Sequence, residues 1–220
     1  MIMGQKEEKR GIPMDKKKTP VPAGILLLAM MLVASLFLTL LPKLNLGPDP
    51  VEKLALTEVP PWVDVQIIEV DGSSRRGQRL EDIRSIVIHY VANPGSSAQA
   101  NHDWYANPES EVSSHFLVGL EGEVIQCIPL DEFSSASNHR NKDTISIEVC
   151  HPDETGKFNE ESYHSLVKLT AWLLDVSGLT SEDVIRHYDI TGKDCPRYFV
   201  ANEDSWLGFL ADVARTAEGS

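Results

Sequence analysis

The stretch VIRHYDITGKDCPRYF, residues 184–199, places His187, Lys193 and Cys195 within nine positions. Imidazole and thiolate are both zinc-type ligands, and a lysine two residues before the thiol brings positive charge to the same place. A catalytic zinc takes three protein ligands and keeps its fourth position for water, so the segment is one donor short. His89, in SIVIHYV, is the candidate third, at the C-terminal end of a strand-like run. That is the end where α/β sheets place their ligands. In TISIEVC, alternation sets Glu148 on the face of Thr144, Ser146 and Cys150, opposite Ile145, Ile147 and Val149.

Taken singly, these are weak signals. A strand-end histidine is more often structural than catalytic, and a mid-strand glutamate serves equally well as a solvated side chain. His-x7-Cys alone is common. The combination of a strand-end His, a polar-faced strand Glu and His-x5-Lys-x-Cys-Pro is far more specific, and it points to metal-assisted hydrolysis.

Such residues need a sheet to hold them. Residues 64–70, 84–91, 113–120, 123–128 and 144–150 are Ile- and Val-rich runs that read as strands. The LEGE turn at 120–123 predicts a hairpin between the third and fourth. Helices alternate with them: one over 96–106, a longer one after Asn159 that Gly178 stops, and an amphipathic one in NEDSWLGFLADVART. TSED, residues 180–183, resembles a capping box, whereas KDCPRYF shows no clear helix start after Cys195. The pattern predicts one α/β domain, residues 62–216, with a central mixed β-sheet flanked by helices.

Upstream the composition changes. Residues 21–42 carry an uncharged run from Ala23 to Leu41, about long enough to span a bilayer. The first 20 residues hold six basic and three acidic side chains. Positive charge on that side keeps it cytoplasmic. A cleaved signal peptide is the rival reading, but LTLLPKLNLG offers no small-x-small site. The expectation is a basic tail (1–20), a transmembrane anchor (21–42) and a Pro-rich tether (43–61). The protein would then be single-pass in the cell membrane, with its large domain outside. The chain's net charge is −13, and the basic tail makes the rest more acidic still, which excludes nucleic acid as a partner. Of three cysteines, Cys127 and Cys150 lie in apolar runs and read as buried hydrophobes rather than a disulfide.

Four blocks, IVIHYVANPG, SSHFLVGLEGEVIQCIP, SNHRNKDTISIEVC and VIRHYDITGKDCP, carry a resemblance. In order and spacing they resemble the zinc-dependent N-acetylmuramoyl-L-alanine amidases of the type-2 amidase and peptidoglycan-recognition-protein superfamily. The likeness is strongest to the Gram-positive cell-wall and phage-endolysin branch, and it covers roughly Trp62 to Val200. It implies that His89, His187 and Cys195 bind Zn2+, that Glu148 is the general base and that Lys193 stabilises the oxyanion. It further implies a monomer acting on peptidoglycan, by hydrolysis of the bond between the lactyl group of N-acetylmuramic acid and L-alanine. Some members carry a Tyr just before the HF pair; this chain has Ser114 there, as the branch with a strand Glu commonly does.

Two other readings stay open. Cys195 with His187 could make a cysteine peptidase, which leaves His89 and Glu148 idle. A non-catalytic muropeptide-binding module is the other, although such relatives typically lose a ligand that this chain retains. His115 is either near the cleft or packed, and is not a ligand. His139 reads as a loop residue that could meet the substrate, and His102, His151 and His164 as surface or packing.

Overall fold

The computed structural model describes residues 49–70, 73–107 and 109–219. Strands β1 (Val63–Val65), β2 (Ser85–Tyr90), β3 (Phe116–Val118), β4 (Val124–Gln126), β5 (Thr144–Val149) and β6 (Val184–Arg186) form one sheet, ordered β1-β4-β3-β5-β2-β6. Only β3 and β4 run antiparallel, as the expected hairpin; the other neighbours are parallel. The mixed α/β domain expected from the sequence is therefore present.

The helices are α1 (Pro50–Ala55), α2 (Ala98–Tyr105), α3 (Glu160–Ser177), α4 (His187–Thr191), α5 (Arg197–Ala201) and α6 (Glu203–Glu218). One face of the sheet buries Ile86, Ile88, Ile145, Ile147 and Val149 against Leu166, Leu169 and Leu173 of α3 and Phe209 and Val213 of α6. Each such side chain contributes about 1.5–3 kcal/mol of burial free energy, and this cluster holds the sheet flat against its helices. Across the sheet a smaller cluster joins Leu117, Ile125, Cys127 and Cys150 to Ala98 and Tyr105 of α2. Cys127 and Cys150 are free and buried, as expected.

Local signals set the helix ends. The Asn159 side chain accepts from the Ser162 amide at 2.9 Å, and Gly178 ends α3 in the left-handed conformation at φ 74°. The β3–β4 turn needs a glycine for two reasons. Gly122 has φ +81°, and a Cβ there would stand 2.9 Å from Ser165 Oγ, which donates to the Gly122 carbonyl.

Three features depart from expectation. Residues 50–55, inside the segment read as a tether, form α1, whose Val51 and Leu54 are buried. Strand β6 has only three residues, too few to show a period. A five-residue helix, α5, does follow Cys195, with Pro196 as its N-cap residue.

The cell-membrane placement also needs correction. The segment expected to span, residues 21–42, lies outside the described residues. Among the described residues no helix is long and apolar enough to cross a membrane. The longest, α3, buries one face and carries Glu160, Glu161, Lys168 and Asp175, as a helix covering a sheet must.

Asn159 joins two elements, because its amide Nδ2 also donates to the Leu120 carbonyl at 2.8 Å. Asn159→Ala is expected to destabilise the domain by about 1–2 kcal/mol. Thermal unfolding should then fall by about 2–8 °C. An unchanged midpoint would show that neither bond contributes.

Candidate active site

The parallel register of β2 with β5 sets His89 directly beside Glu148. The inward rows Ile86/Ile88 and Ile145/Ile147 are committed to the large core, so the imidazole and the carboxyl emerge together on the opposite face. β6 lies on the other side of β2, with Arg186 opposite Ile88, so the next residue, His187, stands beside the end of β2. His187 is the first residue of α4. The segment runs as a strand, a short helix and a return, closed by the Tyr188 amide donating to the Cys195 carbonyl at 2.9 Å.

Arg186 pins this arrangement. The residue is buried, and its guanidinium bonds Asp189 (3.0 Å), Glu203 (2.6 Å) and the Phe199 carbonyl (3.2 Å). One buried cation thus ties β6, α4, α5 and α6 together, with its charge matched by two carboxylates.

His89, His187 and Cys195 are all buried, and one donor atom from each lies within 4.8 Å of the others. Cys195 Sγ is 3.8 Å from His89 Nδ1, and the two imidazole centroids are 4.7 Å apart. Burial pushes both histidines below their usual pKa, with Lys193 adding to the effect on each. Neutral imidazoles are what a metal requires. Tetrahedral zinc, with bonds of about 2.0–2.3 Å, spaces its donors about 3.3–3.6 Å apart, so the donor set fits.

Glu148 Oε1 is 3.9 Å from His89 Nδ1, and Oε2 is buried with no hydrogen-bond partner. Desolvation raises this carboxyl to about 8, against the downward pull of Lys193. Lys193 is exposed, yet its charge acts on Glu148, His89 and His187 alike. A groove of about 220 Å³ opens over these groups, and Tyr105, Trp104 and Val112 form its wall. The five residues singled out in the sequence are therefore brought together.

The remaining histidines separate from them. His115 accepts from the Ser146 amide at Nδ1 (3.0 Å) and donates from Nε2 to the Glu132 carbonyl (2.8 Å), so both nitrogens are used in packing. His139 lies exposed on a 3-10 turn, Asn138–Arg140. His102 bonds the Gln66 carbonyl, and His151 packs on Tyr90. The sequence reading missed Ser137 and Asn138, which contact His89 and His187 respectively. Both lie in the quoted SNHRN block, but a small polar residue in a loop gives no periodic signal.

Residues 79–198 match the Amidase_2 family, N-acetylmuramoyl-L-alanine amidase. The chain belongs to this amidase family. Among curated relatives, the N-acetylmuramoyl-L-alanine amidase BlyA of Bacillus subtilis (strain 168) is 29% identical over 173 residues, covering 69% of this chain and 47% of BlyA. CwlL of Bacillus licheniformis, also named an N-acetylmuramoyl-L-alanine amidase, is 28% identical, covering 66% of this chain and 45% of CwlL. The chain spans about half the length of these relatives. The solved catalytic domain of XlyA superposes with a TM-score of 0.61 at 27% identity, covering 69% of this chain and 98% of that one. A mutant endolysin from Bacillus subtilis gives 0.60 at 26% identity, covering 69% and 97%. The family match stops short of residues 21–42, and with an endolysin among the chain's solved relatives the cell-membrane localisation does not stand.

Glu148 makes a pH prediction for the metal-free protein. Its folded pKa, about 8, lies above the usual 4.5, so between these values the folded state binds more protons than the unfolded one. Stability should therefore fall as pH rises from about 4.5 to 8. Glu148→Gln removes that slope, so denaturant titrations should find the variant more stable than wild type near pH 8, with the gap closing toward pH 4.5. Parallel curves would place Glu148 in a solvated setting.

Proposed function

We propose that this protein hydrolyses the amide bond between the lactyl group of N-acetylmuramic acid and L-alanine of the peptidoglycan stem peptide. The observation that carries the reading is the convergence of His89, His187 and Cys195 beside Glu148, in a chain of this amidase family. His89, His187 and Cys195 would hold a zinc ion, which supplies Lewis acidity toward water and the substrate carbonyl.

The chain's own groups do the rest. Glu148 sits where it can take a proton from the attacking water and hand it to the departing L-alanine nitrogen. Its raised pKa suits both halves of that exchange, since a base must also become an acid within one turnover. Lys193, at the groove mouth, brings a cation to the carbonyl oxygen as negative charge develops. Trp104, Tyr105 and Val112 give the groove an apolar wall beside these groups.

The cysteine-peptidase reading loses ground on electrostatics. Burial pushes the Cys195 thiol up to about 12, and Glu148 adds to the rise, whereas a nucleophile needs a lowered value. A metal cation between the donors would reverse that shift, which favours the ligand role. A pure binding module has no use for a desolvated carboxyl beside three metal-type donors.

Digestion of purified peptidoglycan should release peptides with new L-alanine amino termini, identified by mass spectrometry, and removal of metal by a chelator should stop it. Ends at any other bond would overturn the substrate assignment. Glu148→Ala should abolish turnover while zinc content stays stoichiometric; zinc lost in parallel with activity would make Glu148 a ligand instead. Lys193→Ala should lower kcat by about 10²–10³ with unchanged zinc content, the usual loss for one oxyanion donor. A near wild-type rate would remove Lys193 from the mechanism.

A further inference from the structure

One turn meets both candidate histidines. Asn138 Oδ1 lies 2.8 Å from His187 Nε2, and the neighbouring Ser137 Oγ lies 3.4 Å from His89 Nε2. Consecutive residues thus meet the same nitrogen of both candidate ligands. On His89 the other nitrogen, Nδ1, faces Cys195 Sγ (3.8 Å) and Glu148 Oε1 (3.9 Å).

The turn is itself rigidly placed. The Ser137 amide donates to Asn141 Oδ1 at 2.6 Å, and Arg140 Nε bonds Asp143 Oδ1 at 2.7 Å. Arg140 also reaches Ser85 Oγ at 3.2 Å, and Thr144 Oγ1 donates to the Arg140 carbonyl at 2.8 Å. These bonds tie the turn to the first residues of β2 and β5, the strands that carry His89 and Glu148. Asn138 adopts φ +56°, a left-handed conformation that asparagine tolerates better than most residues.

We propose that Asn138 is a positioning residue. Its carboxamide oxygen accepts from His187 Nε2–H, which locks the neutral ring in that tautomer and leaves Nδ1 as the bare, metal-facing donor. Ser137 acts in the same sense on His89. The proposal rests on the zinc reading above and concerns what orients the ligands, a task whose loss typically weakens metal binding about 10–100-fold.

The test measures zinc affinity of the purified protein by competition with a chromophoric chelator. Asn138→Gly removes the acceptor while accommodating the positive φ, so it separates the hydrogen bond from backbone strain. It should bind zinc about 10–100-fold more weakly than wild type, and Asn138→Ala at least as weakly. Asn138→Asp keeps an acceptor oxygen and should stay within about threefold of wild type. Long-range nitrogen–proton NMR of the metal-free protein should find the His187 proton on Nε2 in wild type and distributed over both nitrogens in Asn138→Gly. Tight zinc binding by wild type and Asn138→Gly alike overturns the proposal and leaves the zinc reading intact. A wild-type protein that binds no zinc overturns both. A His187 proton on Nδ1 in the wild type, or an Asp variant as weak as the Gly variant, overturns the acceptor role alone.

Discussion

The parallel pairing of β2 with β5 is the constraint on which the site depends. Its register puts Ile86 beside Ile145, Ile88 beside Ile147 and His89 beside Glu148. Because side chains alternate strictly along a strand, the rows that enter the large core dictate which groups share the other face. A slip of β2 by one residue would turn His89 into the large apolar cluster and take Ile86 and Ile88 out of it. The cost of that exchange, isoleucines removed from a packed apolar core and an imidazole put in their place, protects the geometry of the site.

The site's own groups gain little from being where they are. Burial holds both histidines neutral, raises Glu148 to about 8 and pushes the Cys195 thiol up to about 12. Each shift has desolvation as its leading cause, and each disfavours charge. Two neutral imidazoles, a buried thiol and a carboxyl with one oxygen unpartnered form an environment in which a cation would relieve most of the strain at once. The surrounding core provides the stability that lets such a cluster persist, as expected where function and folding compete.

The 184–195 segment solves a geometric problem. His187 and Cys195 must reach the end of β2 from its outer side, and a three-residue strand does this by pairing with β2 before the chain turns. Arg186 then anchors the turn through two carboxylates and a carbonyl. The helix after Cys195 begins at Pro196, which has no amide proton to offer the sulfur, while the Tyr90 backbone does hydrogen-bond it. The thiol is thereby held by β2 rather than activated by a helix terminus.

The sequence by itself determined the strands that carry Ile and Val in alternation, the caps at Asn159 and Gly178, and the five chemistry-bearing residues. These are properties of period and residue type, which neighbouring positions express without help. The hairpin was legible for the same reason, through its turn. Tertiary structure alone decided the rest. Strand β6 and helix α1 are too short to have a period, and they exist because Val184, Val51 and Leu54 find a core to enter. Whether Glu148 was solvated or poised depended on its strand partner, a residue far away in the chain. The contacts of Ser137 and Asn138 with the two histidines were invisible, because a side chain in a turn acquires meaning only from what the fold brings against it.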